Sequence, residues 1–440
     1  MKIMKRLLSF SLLMSLLLLL TLCKKSNPAV PIINPFSNGG TERNMIVIIS
    51  DLHLGADTSY SECKVNLGPL EKLLNQIKVA PNVKELVIGG DLVDEWYVPA
   101  TTDTYQGKDQ ADFVKRLATV NKGVFDAFNS IIREENILVT YVPGNHDLTI
   151  TAANIESILP GINQARDNVL GLGTYSPNGH PEIAIEHGHR YNFFCAPDPF
   201  SNQDIAPGTI MPPGYFYTRM AALSVKQKKP SPGETLPIVI PNIGGGESQD
   251  LLYRYWKKWA ESVKMFPITY KFDNKIIIAN VNGFTGNYSV NDLVPFQTSP
   301  GGFIDVVLYH GVQDSWEARQ TYNNVPIHIA TAHAIDSVSS NTETDHQAGL
   351  QYFMNPASDK RIVVFGHTHV PRIDVGTSYE GKKCIYANSG TWIDVNPQLT
   401  TMNFIVITPQ NLDASSQTLV KLYNFEKEVA SKMAEASMLY

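Results

Sequence analysis

From Met45 onward the chain repeats one pattern: a short apolar run, a cluster of Gly, Asp, Asn or His, then an amphipathic stretch. Met45–Ile49, 86–88 and 137–142 are continuous apolar runs of strand length, as expected for buried strands. Between them Leu70, Leu73, Leu74 and Ile77 recur at helical spacing, and Phe113, Leu117, Val120, Val124, Phe128 and Ile131 mark one long helix. Ile183–Ile185 follows and, after a long gap, Ile362–Phe365, 384–387 and 404–407. Strands alternating with helices predict an α/β fold, and no repeat at a solenoid period interrupts the rhythm.

Two segments ahead of this pattern lack it. Lys2, Lys5 and Arg6 precede an apolar run over 7–22 that suits a signal sequence and is short for the about 20 residues of a membrane span. The run ends at Leu20-Thr21-Leu22-Cys23, followed by Lys24 and Lys25. That ending resembles a bacterial lipobox, in which Cys23 would be lipidated and become the N-terminus, although Leu22 stands where small residues are usual. An uncleaved anchor and a plain secretory signal are the alternatives. Residues 1–23 therefore read as a lipoprotein-type signal peptide. Residues 24–43, with Pro28, Pro31, Pro35, Gly39 and Gly40 and no periodic face, read as a flexible tether. The location this implies is the bacterial cell envelope, periplasmic or surface, with membrane attachment through the lipid. Cys63, Cys195 and Cys384 remain, too few for more than one disulfide and without the spacing of a cysteine metal site.

The polar clusters fall at strand ends: Asp51-Leu52-His53, then Gly90-Asp91-Leu92-Val93-Asp94, then Gly144-Asn145-His146-Asp147. Later strands end in Glu186-His187-Gly188-His189 and Gly366-His367-Thr368-His369. Ligands of α/β sheets bind outside the carboxyl ends of strands, so these five clusters should converge. Carboxylates, imidazoles and one amide suit hard-to-borderline divalent ions. The preceding glycines allow sharp turns, and nearby carboxylates such as Glu186 are expected to orient the imidazoles. A formal net charge of −6 offers no bulk attraction for nucleic acid, and none is expected as a partner.

D-x-H, G-D-x-x-D, G-N-H-D, a lone His and G-H-x-H, in that order, resemble the calcineurin-like metallophosphoesterase superfamily. The resemblance covers about 44–195 and 355–410. It implies a four-layered α/β/β/α sandwich with two divalent metal ions, Mn, Fe or Zn, at the strand ends. Carried over by position, Asp51, His53 and His369 would hold one ion. Asn145, His187 and His367 would hold the other, and Asp91 would bridge them. His146 would be the acid or transition-state partner, supported by Asp147 and Asp94. Two such ions polarise phosphoryl oxygens and activate a water for attack on phosphorus.

The first core part is placed at 44–195 and the second at 355–440, with an inserted cap over 196–354 that carries substrate specificity. Leu252, Tyr255, Trp256 and Trp259, at helical spacing, are read as core of that cap. Asn388-Ser389-Gly390-Thr391-Trp392 resembles a family segment that backs the site. Asp94 where purple acid phosphatases carry Tyr, and Asp147 in place of the Glu of protein phosphatases, turn the reading away from both. The strings Ser50-Asp51-Leu52-His53-Leu54-Gly55 and Asp91-Leu92-Val93-Asp94-Glu95-Trp96 look most like UDP-2,3-diacylglucosamine diphosphatases, which commonly differ at His146 and His189. The resemblance implies a phosphomonoesterase or phosphodiesterase, with pyrophosphate also open, acting on a small-molecule or lipid phosphoester. The rival is a lipid-anchored metal- or phosphoester-binding protein of the same fold without turnover. A polysaccharide hydrolase is disfavoured because the required paired carboxylates or nucleophile are missing.

Overall fold

A computed structural model describes residues 34–167, 171–397, 399–410 and 416–439. Cys23 and the signal segment lie outside these residues. The strands of the core are β1 (Met45–Ile49), β2 (Val83–Gly89), β3 (Leu138–Val142), β4 (Asn163–Gln164) and β5 (Ile183–Ile185). After the insertion come β6 (Ile362–Phe365), β7 (Arg372–Thr377), β8 (Lys383–Asn388), β9 (Asn403–Thr408), β10 (Thr418–Glu426) and β11 (Val429–Met438). One sheet has the order β11-β10-β9-β1-β2-β3-β4, the other β7-β8-β6-β5. β1 to β4 pair in parallel, as do β5, β6 and β8, so their carboxyl ends share an edge in each sheet.

Side-chain alternation divides each strand between two apolar layers. Ile46, Ile48, Val87, Ile362, Val364, Ile385 and Ile405 fill the space between the sheets. Val47, Ile49, Leu86 and Ile88 face the other way, in one cluster with Leu70, Leu73 and Leu74 of helix α1 (Leu67–Lys78). The outer face of the second sheet, with Val363, Phe365 and Tyr386, is covered by the insertion. There Tyr191 stacks on Phe365 with ring centroids 5.9 Å apart. The result is the four-layered α/β/β/α sandwich.

Two expectations need correction. The long helix is two, α2 (Gln110–Val120) and α3 (Lys122–Glu134), because Asn121 leaves helical geometry (φ −103°, ψ 32°) and its amide bonds Leu117 O and Gly55 O, each at 2.9 Å. The end of the tether over 35–43 is docked: Phe36 is buried and stacks on Phe404 at 5.8 Å. The apolar residues of the insertion over 196–354 join the cluster of the core. Its helices include α4 (Pro213–Lys226) and α5 (Gly246–Met265), where Leu252, Tyr255 and Trp259 are buried as read and Trp256 is only half-buried. Buried Arg219 on α4 fastens it: Nε donates to Val98 O at 2.6 Å and Nη2 to Ile278 O at 3.0 Å. Cys63, Cys195 and Cys384 are free thiols.

Candidate metal centre

All five clusters converge at the strand ends. Asp51 Oδ1 lies 3.1 Å from His369 Nε2, and His53 Nε2 lies 3.2 Å from the same nitrogen. Opposite them, His187 Nε2 is 3.2 Å from Asn145 Oδ1, and His367 Nδ1 is 2.8 Å from that oxygen. Asp91 Oδ2 stands between, 3.1 Å from His187 Nε2 and 3.6 Å from His53 Nε2. Four groups of three bring one ligand atom each within 4.8 Å: Asp51, His53 and His369; Asp51, Asp91 and His187; His53, Asp91 and His146; and His53, Glu62 and Asp94. Asp51 Oδ1 also approaches His187 Nε2, at 3.9 Å, so two carboxylates span both sides.

The backbone is bent to achieve this. Asp51, His53, Asp91, His367 and His369 occupy the left-handed region, with φ of 53°, 46°, 51°, 69° and 58°. Side chains rarely adopt that conformation, and its clustering here marks a site where geometry overrides local preference. The glycines chiefly serve a different purpose from the turns expected of them. A Cβ on Gly144 would meet Asp91 Oδ1 at 2.1 Å, one on Gly366 would meet Asp51 Oδ2 at 2.5 Å, and one on Gly90 would meet His187 Nδ1 at 2.3 Å. Each glycine clears space for a ligand residue of a neighbouring loop. Only Gly90 of the three also has positive φ.

Around these residues a ring of hydrogen bonds fixes the imidazoles. Asp94 Oδ2 holds His53 Nδ1 at 2.9 Å and its Oδ1 holds His146 Nδ1 at 2.8 Å. Gly89 O holds His187 Nδ1 at 2.9 Å. Glu186 does not orient His187. Its oxygens accept from Tyr191 and Tyr352 hydroxyls at 2.7 and 3.0 Å and pair with Arg190 at 2.8 Å, fastening the insertion. Asp147, expected beside His146, instead accepts from the backbone N–H groups of Gly144 and Leu92 at 2.6 and 2.8 Å and locks two loops together. The 388–392 segment does back the site: Ser389 Oγ is 2.6 Å from Ser50 Oγ, and Trp392 N donates to Asp51 O at 3.0 Å. His189 is buried, with neither ring nitrogen hydrogen-bonded to any of the described residues.

Burial alone would raise the Asp91 carboxyl, but His187, His146 and His53 hold it well below its usual range. Asp51 is likewise lowered against burial by His187 and His369. Burial opposes charge on His53, yet Asp94 and Asp91 push it up to about 10. His187 rises to about 9 against burial through Asp91 and Asp51, whereas burial and the neighbouring His187 depress His367 to about 3. Buried carboxylates here are thus neutralised by imidazolium protons. A cluster that needs positive charge and offers oxygen and imidazole donors fits divalent cations, whose binding would displace those protons.

His146 lies beside the group: its backbone N donates to Asp91 Oδ1 at 2.8 Å, and its ring stacks on buried Trp96 at 5.0 Å. With Nδ1 held by Asp94, its Nε2 has no protein partner among the described residues. Sequence reasoning missed Glu62, whose Oε2 is 3.7 Å from His53 Nδ1, because no motif surrounds it. Trp96 gave no signal of its stacking role. Lys229 lines a cavity that also contains His53, with Nζ 5.6 Å above the Phe266 ring. His310, His328 and His333 pair with the carboxylates of Asp305, Glu317 and Glu343, away from the cluster.

No curated protein matches this chain. Among solved structures, a single mutant of Vps29 from Entamoeba histolytica aligns at 9% identity over 90% of this chain and 99% of that one, with a TM-score of 0.29. Residues 45–209, which hold the first four of the five clusters, match the calcineurin-like phosphoesterase family.

Proposed function

We propose that this protein is a metal-dependent phosphoric ester hydrolase with two divalent cations held among Asp51, His53, Asp91, Asn145, His187, His367 and His369. The observation that carries this reading is the convergence of two ligand triads sharing Asp51 at one buried locus. The family match over 45–209 supports it. Mn, Fe and Zn all suit the donor set. When bound, the ions supply Lewis acidity to the phosphoryl oxygens and to the attacking water.

The chain supplies the rest. Asp94 fixes both His53 and His146, and the Trp96 face restrains the His146 ring. His146 Nε2 is then free to give a proton to the departing alkoxide. Burial opposes charge on this imidazole, but Asp94 and Asp91 raise its pKa above the ordinary value, which favours the proton-bearing form. The leader reading assigns the activity to the cell envelope, with Cys23 as the lipidated residue.

The test is hydrolysis of p-nitrophenyl phosphate and bis-p-nitrophenyl phosphate by protein loaded with Mn²⁺, with metal content measured alongside. Activity abolished by chelation and restored by Mn²⁺ is expected. A chain that binds two ions per molecule and turns over neither ester is the binding protein of the rival reading.

A further inference from the structure

We infer that the substrate is a phosphodiester whose two substituents occupy separate cavities meeting over the candidate metal centre, an inference that rests on the phosphoesterase reading above. One cavity, of about 620 Å³, contains Asp91, Asn145 and His367. The other, of about 690 Å³, contains His53 and Glu62. They share four residues, His146, His369, Tyr217 and Thr218, and otherwise have different walls. Each half of the ligand cluster therefore opens into its own space, with the proton donor at the junction.

A phosphorus at that junction has room for an ester group on either side. A monoester carries one organic group and would leave one cavity of several hundred Å³ filled with water. Burying a second group adds binding energy at roughly 25 cal/mol per Å² of apolar surface covered, and remote binding of this kind orients the reacting bond. In the reaction, water oxygen bonds to phosphorus as one P–O ester bond breaks. One proton of the water is lost to solvent, the alcohol leaves with a proton from His146, and the product is a monoester retaining the other group.

The two walls differ in chemistry. The first cavity has no Lys or Arg among its residues, and beyond the ligand cluster its single carboxylate is Glu261. Phe194, Tyr217 and Met265 give it an apolar side, while Ser262, Asn341 and Thr344 give it hydroxyl and amide groups. Such a wall suits an uncharged group with hydroxyls, such as a nucleoside, glycosyl or glyceryl unit, and offers nothing to a further phosphate. The second is lined by Tyr60, Tyr97 and Phe266, with Lys64 and Lys229.

The test compares p-nitrophenyl phosphate with bis-p-nitrophenyl phosphate and thymidine 5′-(p-nitrophenyl phosphate), which share one leaving group. Mn²⁺-loaded protein is used, together with the variants Ser339→Trp, which fills the first cavity, and Thr58→Trp, which fills the second. Both positions are exposed, so folding is spared, which circular dichroism and metal content check. The expected result is a kcat/KM at least tenfold higher for both diesters than for the monoester. Each variant should lose at least fivefold on at least one diester. Equal or better turnover of the monoester overturns the two-cavity proposal and leaves the phosphoesterase reading intact. Diester turnover unchanged in either variant overturns it too. No turnover of any ester with two ions bound overturns the phosphoesterase reading and, with it, this one.

Discussion

On the core side, the groups facing the two cavities are Asp91, Asn145, His146, His367 and His369, carried on strand-end turns. On the side of the insertion they include Tyr217, Thr218, Ser262 and Met265, supplied by α4 and α5. The core side holds charge in strained backbone. The other side carries Glu261 and Lys229 on walls built largely on regular helix, and is fixed to the core by buried Arg219. The contrast teaches a division of labour: substitutions on the first wall should abolish chemistry, and substitutions on the second should redirect or loosen it.

The strongest way to break that division is Asp91→Ala. Asp91 reaches both halves of the cluster, so the variant should lose or scramble both ions, with activity down by about 10³ or more. Metal analysis per chain checks it. Asp51→Ala is the sharper companion. If Asp91 alone bridges, that variant keeps one ion. If Asp51 spans both sides, as its distances to His187 and His369 allow, it loses both. Two ions retained in the Asp91 variant would overturn the assignment.

His146→Ala should spare the ions and cost about 10²–10⁴ in rate on an alkyl phosphate ester. The cost should be far smaller with a p-nitrophenyl leaving group, which needs no proton. Equal losses would assign His146 to electrostatic stabilisation instead, and loss of metal would mean that Asn145 and His146 have exchanged roles.

For the other wall, Arg219→Ala leaves a set of buried carbonyls without their donor. Unfolding free energy should fall by about 3–5 kcal/mol, measured by denaturant titration, with metal content retained in the folded fraction. A variant as stable as the parent would show that Arg219 is not the fastening point.

Metal affinity carries a pH signature specific to the core wall. In the metal-free protein, His53 and His187 have pKa values raised to about 10 and about 9. A cation must displace those protons, so apparent affinity for Mn²⁺ should rise with pH from about 6 to 9, by up to about tenfold per unit for each proton released. The linkage on stability has the opposite sign. A raised histidine pKa contributes stability that is fully present below the ordinary value near 6.5 and is lost as pH rises through 9 to 10. Isothermal titration in two buffers of different ionisation enthalpy reads the proton release directly.

Most of the core wall was legible in the sequence because its residues are contiguous with strands and cluster in short motifs. The layers followed from apolar runs, and the convergence of the clusters from the strand-end rule. What escaped notice was tertiary. Asp94 supports His146 as expected but also holds His53, and Gly89 O rather than Glu186 holds His187, because direction within a loop is not encoded by proximity in sequence. The hairpin of β10 and β11 went unread because β11 is rich in Ala, Lys, Glu and Met, residues of high helix propensity. Its turn at Lys427-Glu428, with φ of 51° and 63°, lacks the Asn-Gly signal of such turns. The insertion was legible as an aromatic-rich segment, but which of its residues face the cavities depends on how α5 is rotated. Trp259 went to the interior, and its neighbours Ser262 and Met265 to the cavity wall.

The left-handed turns have a consequence for robustness. An L-residue held there sacrifices about 1–2 kcal/mol relative to ordinary backbone, and glycine does not. His369, partly exposed at φ 58°, isolates the effect: His369→Gly should be more stable than His369→Ala by about 1 kcal/mol in metal-free protein, read from thermal unfolding. Selection for sturdiness alone would therefore drift these positions toward glycine and erase the ligands while the fold improved. Five such positions held by Asp and His mean that a screen scoring only soluble, heat-resistant protein would enrich variants emptied of their chemistry.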